Sequence, residues 1–416
     1  MDSVKGWINE IRDMGGIKFI ILRNRDGFFQ ITIPKKKVSE ELFSMVEKLN
    51  REDVIEVTGN LQDARSRDFD TELIPEDIKV LNHSDTPLPL DPSEKVRAEL
   101  DTRLDNRFLD IRKPNIASIF KVRHSLLKHA REYLDGQGFL EIHTSKIISS
   151  ASEGGTELFP IKYFEKDAYL SQSPQLYKQM TMAGGFGRVY EIAWYFRAEE
   201  HNTPRHLNEA TAIDIEMSFI ESEEDVMGVL ENLIHNTIKG VSNDCKKELE
   251  MLDVELNVPK VPFERLYYDE AIDMLKSNDY DIEWGDDLGT EGEKILGKIM
   301  IDKGHEYYFI KRYPRNKVFY LQPEDRYCRG FDLDCKGIEL TSGGQRCHEY
   351  DTIKDRIVEF GMNPGNFEDY LKIFKYGMPP HGGFGFGIER WLMEILELGN
   401  VRECILFPRD RSRTTP

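Results

Sequence analysis

Residues 189–219 constrain the fold of this chain more than any other stretch, because two strand-like runs flank a short charged loop. The first run, VYEIAWYF at 189–196, is rich in the β-branched and aromatic side chains that favour strands. In the second, IDIEMSF at 213–219, apolar and polar residues alternate, which is the period of a strand with one buried face. The pattern predicts a hairpin with Asp214 and Glu216 on the polar, outward face of its second strand.

The loop that joins these runs carries more charge than an ordinary hairpin needs. Its charged and imidazole side chains are Arg197, Glu199, Glu200, His201, Arg205, His206 and Glu209. A solvated, salt-bridged loop would account for them, and so would a site that binds an anion. The loop alone does not decide between these two interpretations.

Length and composition indicate a globular protein with two or three domains. The chain has 416 residues, of which 39% are hydrophobic, enough for sizeable cores. No run approaches the roughly 20 apolar residues of a membrane span, and residues 1–13 lack the layout of a signal peptide. We therefore expect a cytoplasmic protein without membrane contact. The five cysteines include no CxxC pair, which argues against a disulfide framework and a structural zinc site.

The net charge of −19 discourages a nucleic-acid partner at first sight, because phosphate binding normally depends on lysine and arginine. The acidic excess is spread along the chain and is not confined to one tail. Any RNA would therefore be bound through local basic clusters, such as residues 35–37 (KKK).

Residues 1–84 have the pattern of a small closed barrel of the OB type. Five strand-like runs surround one helix near 39–50, for which Ser39 is a suitable N-cap. Three prolines follow within 85–92 (DTPLPLDP), which predicts an extended linker. We place the limits at 1–84 for the barrel, 85–113 for a hinge or linker and 114–416 for the second domain.

The second domain mixes helical and strand-like runs without a regular βαβ alternation. Helical periodicity occurs at 116–134, 222–239, 267–276, 352–360 and 367–376. This arrangement favours an α+β domain with a mostly antiparallel sheet flanked by helices over a doubly wound one.

Two polar segments near the middle of the chain are candidates for substrate contacts. The loop SEGGTE at 152–157 contains Glu153 and would either close over a cationic group or form a surface turn. In SQSPQLYKQM at 171–180, Gln175 and Lys178 share a helix face if Pro174 opens that helix. A single lysine on a helix is usually solvated, so this segment alone proves nothing.

Two segments near the C-terminus add oxygen ligands and glycines. In ELTSGGQR, Glu339 and Ser342 are oxygen ligands of the kind that Mg²⁺ prefers, although the segment also fits a plain hairpin. In PPHGGFGFGIER at 379–390, glycines would let the backbone approach a ligand closely before a helix begins. A GxGxxG dinucleotide motif fails at Ile388, so a different phosphate site is implied.

These motifs together resemble a known family. FRAEE followed by RHL, and GFGFGIER followed by an apolar helix, resemble motifs 2 and 3 of class II aminoacyl-tRNA synthetases. With the barrel, QSPQLYKQ and SGGQR, the chain is similar over essentially its whole length to aspartyl-tRNA synthetases of the compact archaeal type. The resemblance implies a homodimer that uses ATP and Mg²⁺ to convert L-aspartate to aspartyl-adenylate, releasing pyrophosphate, and then passes the aspartyl group to the terminal ribose of tRNA-Asp. Whether tRNA-Asn is also charged stays open.

The resemblance also implies roles for individual residues. Arg197 and Arg390 would be catalytic, with Arg197 stabilising the negative charge that gathers on the α-phosphate and Arg390 holding the bent tail of ATP. The aspartate site would comprise Glu153, Gln175, Lys178, Arg197, Asp214, Ser342 and Arg346. The ATP site would comprise Arg197, Ala198, Glu199, Arg205, His206, Leu207, Glu339, Gly387, Ile388, Glu389 and Arg390. Mg²⁺ would be held by Asp332, Glu339 and Ser342, and the anticodon would be read by Arg12, Phe19 and Gln30.

The chain departs from the family pattern in three places. Ser145 stands in the segment GFLEIHTSKI where the dimer motif normally has proline, which puts the rigidity of that strand in doubt. The chain begins close to the first barrel strand, without the family's short leader. Asn9 lies on the barrel face expected near the third anticodon base, and its preferred base is open.

Two other functions are alternatives to the charging of tRNA with aspartate. An asparagine synthetase derived from this fold would give aspartyl-adenylate to ammonia, but it would normally lack the barrel. A catalytically silent RNA-binding protein would be expected to lose Arg197, Glu339 or Arg390, and all three are present.

Overall fold

The computed structural model describes residues 2–64, 66, 68–93, 96–149, 157–200 and 203–416. The chain divides into two compact units, 1–113 and 114–416. Within the described ranges, none of the helices combines the length and the apolar character that crossing a membrane requires.

The first unit contains a closed five-stranded barrel with the strand order β1-β2-β3-β5-β4. Its strands are β1 (Asp2–Asp13), β2 (Ile17–Asn24), β3 (Gly27–Pro34), β4 (Val54–Asp63) and β5 (Thr71–Asn82). Alternate residues of β2 and β3 point inward, and Ile20, Leu22, Ile31 and Ile33 lie fully buried in the barrel core. The predicted OB barrel is confirmed.

One helix interrupts the barrel strands, as the sequence predicts. Helix α1 (Glu40–Met45) begins at Ser39, whose hydroxyl accepts a hydrogen bond from the backbone N–H of Leu42, and it continues into a 3₁₀ turn, Val46–Lys48. After the barrel, the segment predicted as a linker contains two short helices, α2 (Leu100–Asp105) and α3 (Arg107–Asp110). It belongs to the same compact unit as the barrel, and the domain limits proposed above remain a prediction.

The second unit is built on an eight-stranded sheet with the order β12-β13-β16-β17-β18-β11-β10-β6. Only the β12–β13 and β10–β6 pairs are parallel. The strands of this unit are β6 (Leu140–Glu141), β7 (Ile147–Ile148), β8 (Pro160–Tyr163), β9 (Lys166–Leu170), β10 (Arg188–Phe196), β11 (Glu209–Ser218), β12 (Glu264–Tyr267), β13 (Tyr307–Lys311), β14 (Pro323–Glu324), β15 (Tyr327–Cys328), β16 (Gly330–Cys335), β17 (Ile338–Gln345) and β18 (His381–Gly387). The predicted α+β class with a mostly antiparallel sheet is confirmed.

Helices flank this sheet. They are α4 (Pro114–Gly136), α5 (Gln175–Thr181), α6 (Glu223–Asp244), α7 (Lys246–Leu252), α8 (Tyr268–Lys276), α9 (Gly289–Asp302), α10 (Tyr350–Glu359), α11 (Glu368–Lys375) and α12 (Ile388–Ile395). A π-type turn (Met182–Phe186) and two 3₁₀ turns (Pro364–Phe367 and Val401–Cys404) complete the regular structure. The sequence patterns did not reveal α7 or α9.

The hairpin of β10 and β11 forms as predicted, but the solvent exposure predicted for it is wrong. Asp214 and Glu216 were expected on an outward face, whereas every residue from 211 to 217 is buried. Strand β11 pairs with β10 and β18 at its edges, and helices α5 and α12 both contact it, so its polar side chains are enclosed by packing. The strand ends at Ser218, and Phe219, expected on the apolar face, adopts a φ of 59° with 82% of its surface exposed.

Candidate active site

A row of facing residues crosses the centre of the large sheet. Asp214 on β11 lies opposite Gly385 on β18, which in turn lies opposite Ser342 on β17, and Ser342 is paired with Asp332 on β16. Directly opposed residues point to the same face, so three polar side chains flank a position that has no side chain. The glycine leaves room above the sheet for a ligand.

Glycine is also required at position 383 for β18 to fit between its neighbours. A Cβ atom there would lie 2.0 Å from the carbonyl oxygen of Ile215 on β11. The glycines of β18 therefore have two effects. Gly383 allows the neighbouring strands to pack closely, and Gly385 places no side chain on the cavity wall.

A cavity of about 270 Å³ lies above this row. It is lined by residues from six stretches of the chain, and four of them contain residues that were expected at a substrate site. The expected residues on its wall are Gln175, Arg197, Glu199, Arg205, His206, Leu207, Asp214, Glu339, Ser342, Arg346, Gly387, Glu389 and Arg390. Lys178, Ala198, Asp332 and Ile388 are not on its wall. Glu153 lies outside the described residues.

Lys178 lies behind the cavity wall and not on it. Helix α5 begins after Pro174, so Gln175 and Lys178 share one helix as expected. The Lys178 ammonium is 2.8 Å from a carboxylate oxygen of Asp214, donates to the carbonyl of Phe384 at 3.0 Å and lies 3.5 Å from Glu216. The lysine is therefore a buried, fully engaged cation, with only 1% of its surface exposed.

Arg346 lies on the cavity wall and shares the partner Glu216 with Lys178. Its guanidinium donates to Glu216 at 3.2 Å, to the carbonyl of Gly383 at 2.8 Å and to Oε1 of Gln175 at 3.4 Å. Burial opposes the charge of Glu216, but the two cations outweigh burial and lower the pKa of Glu216 below its usual value. Two buried cations and two buried carboxylates thus balance one another.

Sequence reasoning gave no role to Glu216 or Tyr195. The Tyr195 hydroxyl donates to Asp214, and its ring lines the cavity. Glu216 is wholly buried between Lys178 and Arg346. Glu216 lies two residues after Asp214 on β11, so the two side chains point to the same face. The alternation in the sequence indicates this shared face, but it does not distinguish a solvent-exposed face from one that lines a buried site.

Arginines occupy the other half of the cavity. The guanidinium of Arg197 lies 5.4 Å from the centre of the Tyr195 ring and 3.8 Å from Glu199. Arg205 lies 3.8 Å from Glu293 on α9, a residue that sequence reasoning did not select. Arg390 donates to the carbonyl of Glu339 at 3.2 Å. These cations face a common space, which suits a polyanion such as a triphosphate.

Three residues assigned to the ATP site have structural contacts instead of, or in addition to, cavity contacts. Glu389 is 2.7 Å from Arg123 and accepts a hydrogen bond from the N–H of Thr211 at 2.9 Å. Ile388 is fully buried at the start of α12. Ala198 lines a neighbouring cavity and donates its N–H to the carbonyl of Glu157 at 2.8 Å.

Of the two carboxylates expected to hold a metal, Glu339 lies on the cavity wall, and Asp332 lies behind it but close enough for the two charges to interact. Burial and the nearby charge of Asp332 raise the pKa of Glu339 to about 7. Asp332 is buried, its Oδ2 contacts Lys317, and its Oδ1 has no hydrogen-bond partner. A cation at this point would relieve both features, so the residues fit Mg²⁺.

The protein supplies only part of a coordination shell at this point. Across the described ranges, no three His, Cys, Asp or Glu side chains gather as a complete metal-binding group. A partial shell is what Mg²⁺ usually receives from a protein, because phosphate oxygens and water provide the remaining ligands.

Comparison with known proteins decides the family. The model of "tRNA synthetases class II (D, K and N)" matches residues 99–411, and that of the OB-fold nucleic acid binding domain matches residues 3–81. The chain belongs to the class II tRNA synthetases. The resemblance noted in the sequence is thereby confirmed.

Individual relatives of this synthetase match over nearly their full lengths. It is 56% identical to the aspartate–tRNA(Asp) ligase of Pyrococcus horikoshii, covering 100% of this chain and 96% of that protein. It is 54% identical to the aspartate–tRNA(Asp/Asn) ligase of Methanopyrus kandleri, covering 99% and 95%. Among solved structures, asparaginyl-tRNA synthetase of P. horikoshii complexed with asparaginyl-adenylate matches with a TM-score of 0.92, 34% identity and coverage of 100% and 96%.

The residues expected to read the anticodon lie together on the barrel of the synthetase. Arg12 on β1 is opposite Phe19 on β2, and Phe19 is opposite Thr32 on β3. Phe19 is half-buried on the outer face and does not belong to the barrel core. Gln30 shares that face, where its side chain donates to Thr32 at 3.2 Å and to Glu72 at 2.9 Å.

Two of the three departures from the family pattern, at Asn9 and Ser145, lie within the described residues. Asn9 accepts a hydrogen bond from Arg23 at 3.0 Å through its side-chain oxygen. Ser145 lies between β6 and β7, where no strand is assigned. Its neighbours Thr144 and Lys146 are each 2.7 Å from the carboxylate of Glu191, so this segment is fixed to β10 without a proline.

Proposed function

We propose that this synthetase is an aspartate–tRNA ligase, which activates L-aspartate with ATP and transfers it to the 3′-terminal adenosine of tRNA-Asp. The observation that carries the proposal is the balanced buried quartet of Lys178, Arg346, Asp214 and Glu216 beside the cavity. Relatives at 54% and 56% identity whose names specify aspartate support the same conclusion.

The quartet suits an amino acid with two carboxylates. Asp214 lies on the cavity wall and would receive the α-ammonium group, while the planar fork of Arg346 would receive the side-chain carboxylate. As Asp214 turns to the ammonium group, Lys178 is released to share the added negative charge. A neutral asparagine side chain would gain little from these cations, so the site favours aspartate.

The arginine half of the cavity would bind ATP. Arg205 and Arg390 would hold the phosphate tail, Glu199 and His206 would contact the nucleotide, and Arg197 would stabilise the negative charge that gathers on the α-phosphate. A Mg²⁺ ion bound by Asp332, Glu339 and Ser342 would supply charge neutralisation of the pyrophosphate that leaves.

The barrel would bind the anticodon of the tRNA. Phe19 would stack on a base, while Arg12 and Gln30 would contact base edges. The outer-face position of Phe19 supports this role, because a phenylalanine outside the barrel core contributes little to the stability of the fold.

The synthetase would act as a homodimer. Exposed Leu140 and Ile147 lie within the segment that resembles the dimer motif, and both would be buried by a second copy. Light scattering on the full chain tests this, because a monomeric mass at micromolar concentration would contradict it.

Charging of purified transcripts tests the main proposal. The full chain is incubated with ATP, Mg²⁺ and radiolabelled aspartate or asparagine, together with tRNA-Asp or tRNA-Asn transcript. We expect aspartate on tRNA-Asp and no charging with asparagine. Charging with asparagine but not aspartate would refute the proposal. The tRNA-Asn arm decides whether the specificity is single or dual, on which the names of the relatives differ.

A further inference from the structure

A buried chain of hydrogen bonds runs from the cavity wall into the core below it. Nε2 of Gln175 lies 3.1 Å from Oε1 of Gln179, one turn further along α5. Nε2 of Gln179 lies 2.8 Å from Nε2 of His381, whose Nδ1 is 2.8 Å from the carbonyl oxygen of Pro379. Each of these side chains is at least nine-tenths buried, so solvent does not satisfy them.

The Pro379 carbonyl fixes which group donates and which accepts in each of these hydrogen bonds. A carbonyl oxygen only accepts, so Nδ1 of His381 must carry a proton. Burial lowers the pKa of His381 to about 4, so the ring is neutral at pH 7 and its Nε2 is a bare acceptor. Gln179 must therefore turn its NH₂ group toward His381 and its oxygen toward Gln175.

The same logic fixes the amide of Gln175. Because Oε1 of Gln179 accepts, Gln175 must direct its own NH₂ group inward, which leaves its oxygen toward Arg346 and the cavity. The hydroxyl of Tyr370 donates to Oε1 of Gln179 at 3.0 Å, which is consistent with this polarity but does not determine it. Gln175 thus presents its acceptor oxygen to a ligand.

We propose that Gln179 is a positioning residue for amino-acid binding, because it holds the cavity-facing oxygen of Gln175 in place to accept from the α-ammonium group of the substrate. This inference rests on the proposed function of the same site. With the amide reversed, an NH₂ group would face both the ammonium group and Arg346, and the contact would become repulsive.

Substitutions of Gln179 separate polarity from packing. Gln179→Met keeps the length of the side chain but removes the acceptor for Gln175, so the aspartate KM should rise about tenfold or more. Gln179→Glu keeps an oxygen toward Gln175 and shares one proton with His381, so its aspartate KM should stay within about threefold of the original. Tyr370→Phe removes a hydrogen bond from the same oxygen without changing the polarity, and it serves as the packing control.

Aspartate-dependent exchange of pyrophosphate into ATP measures these effects. We expect the rise in Gln179→Met to be confined to the aspartate KM, with the ATP KM and kcat little changed. An unchanged aspartate KM in that variant, or an equal rise in Tyr370→Phe, would overturn the proposal. A tenfold rise in Gln179→Glu would overturn it as well, even if Gln179→Met did not fold. Failure of the unmodified chain to exchange with aspartate would instead refute the proposed function.

Discussion

The ammonium group of Lys178 is held 2.8 Å from the carboxylate of Asp214, in a buried ion pair behind the wall of the candidate active site. The positive charge of the lysine is therefore balanced by buried carboxylates before any substrate binds. Its role depends on an exchange of partners, in which Asp214 turns to the ammonium group of the amino acid while Lys178 responds to the added carboxylate. A lysine held in this way would discriminate aspartate from asparagine through the charge balance of the buried group, and not through direct contact with the substrate.

Removal of Lys178 should damage both the fold and the activity. In Lys178→Met, Asp214 and Glu216 lose a shared cation while both remain buried, which should destabilise the protein by about 3–5 kcal/mol. Aspartate-dependent exchange should fall by at least about 100-fold. Urea unfolding and the exchange assay measure the two effects separately.

A second substitution separates the two consequences of losing Lys178. Adding Asp214→Asn removes one of the uncompensated charges, so Lys178→Met/Asp214→Asn should recover part of the lost stability without recovering exchange. If Lys178→Met exchanged at a near-normal rate, the lysine would have no part in the site.

His381 should make the stability of the protein depend on pH in acid. Its folded-state pKa is lowered to about 4, chiefly by burial, whereas an exposed histidine titrates near 6.5. Between these values the unfolded chain binds more protons than the folded one, so stability falls as the pH drops from 6.5 to 4. The loss should reach about 3 kcal/mol.

Urea unfolding at several pH values tests this contribution. Carboxylates also destabilise the fold in acid, so the informative quantity is the difference between the unmodified chain and His381→Gln. That variant should have lower stability at pH 7 but a smaller further loss between pH 6.5 and 4. Parallel pH profiles for the two proteins would show that His381 does not contribute.

Local pattern was sufficient to predict the barrel and the elements that carry the site. The alternation in β2 and β3 and the cap at Ser39 depend on neighbouring residues, and both predict the observed elements. The segments on the cavity wall were identified by unusual polarity and glycine content. These properties belong to short stretches, so a sequence alone reveals them.

Contacts between distant segments were not predictable in the same way. The burial of Glu216 follows from the packing of Lys178 and Arg346 against β11, which the alternation of β11 does not reveal. Glu293 meets Arg205 through the packing of α9, a helix that the sequence pattern missed. The engagement of Lys178 by Asp214 joins residues 36 positions apart, so its chemistry depends on the tertiary fold.

Glu339 should govern the requirement for Mg²⁺. Replacing it with glutamine keeps its size but removes one of the two carboxylates expected to bind the ion, so half-maximal exchange should require about tenfold more Mg²⁺. Chelation with EDTA should abolish exchange by the unmodified chain. Glu324→Gln, outside the cavity and paired with Arg329, is the control and should leave the requirement unchanged. A normal Mg²⁺ requirement in Glu339→Gln would remove this carboxylate from the metal site.

Phe19 should affect tRNA binding without affecting amino-acid activation. Stacking of an aromatic ring on a base is worth about 1–3 kcal/mol, so Phe19→Leu should raise the KM for tRNA-Asp transcript by about 10-fold or more. Exchange of pyrophosphate does not involve the tRNA and should be unchanged. The matched control is Ile20→Val on the inner face of the same strand, which should cost about 0.5–1.5 kcal/mol of stability and leave the KM for tRNA as it was. If the two variants had the same KM for tRNA-Asp, Phe19 would have no part in tRNA binding.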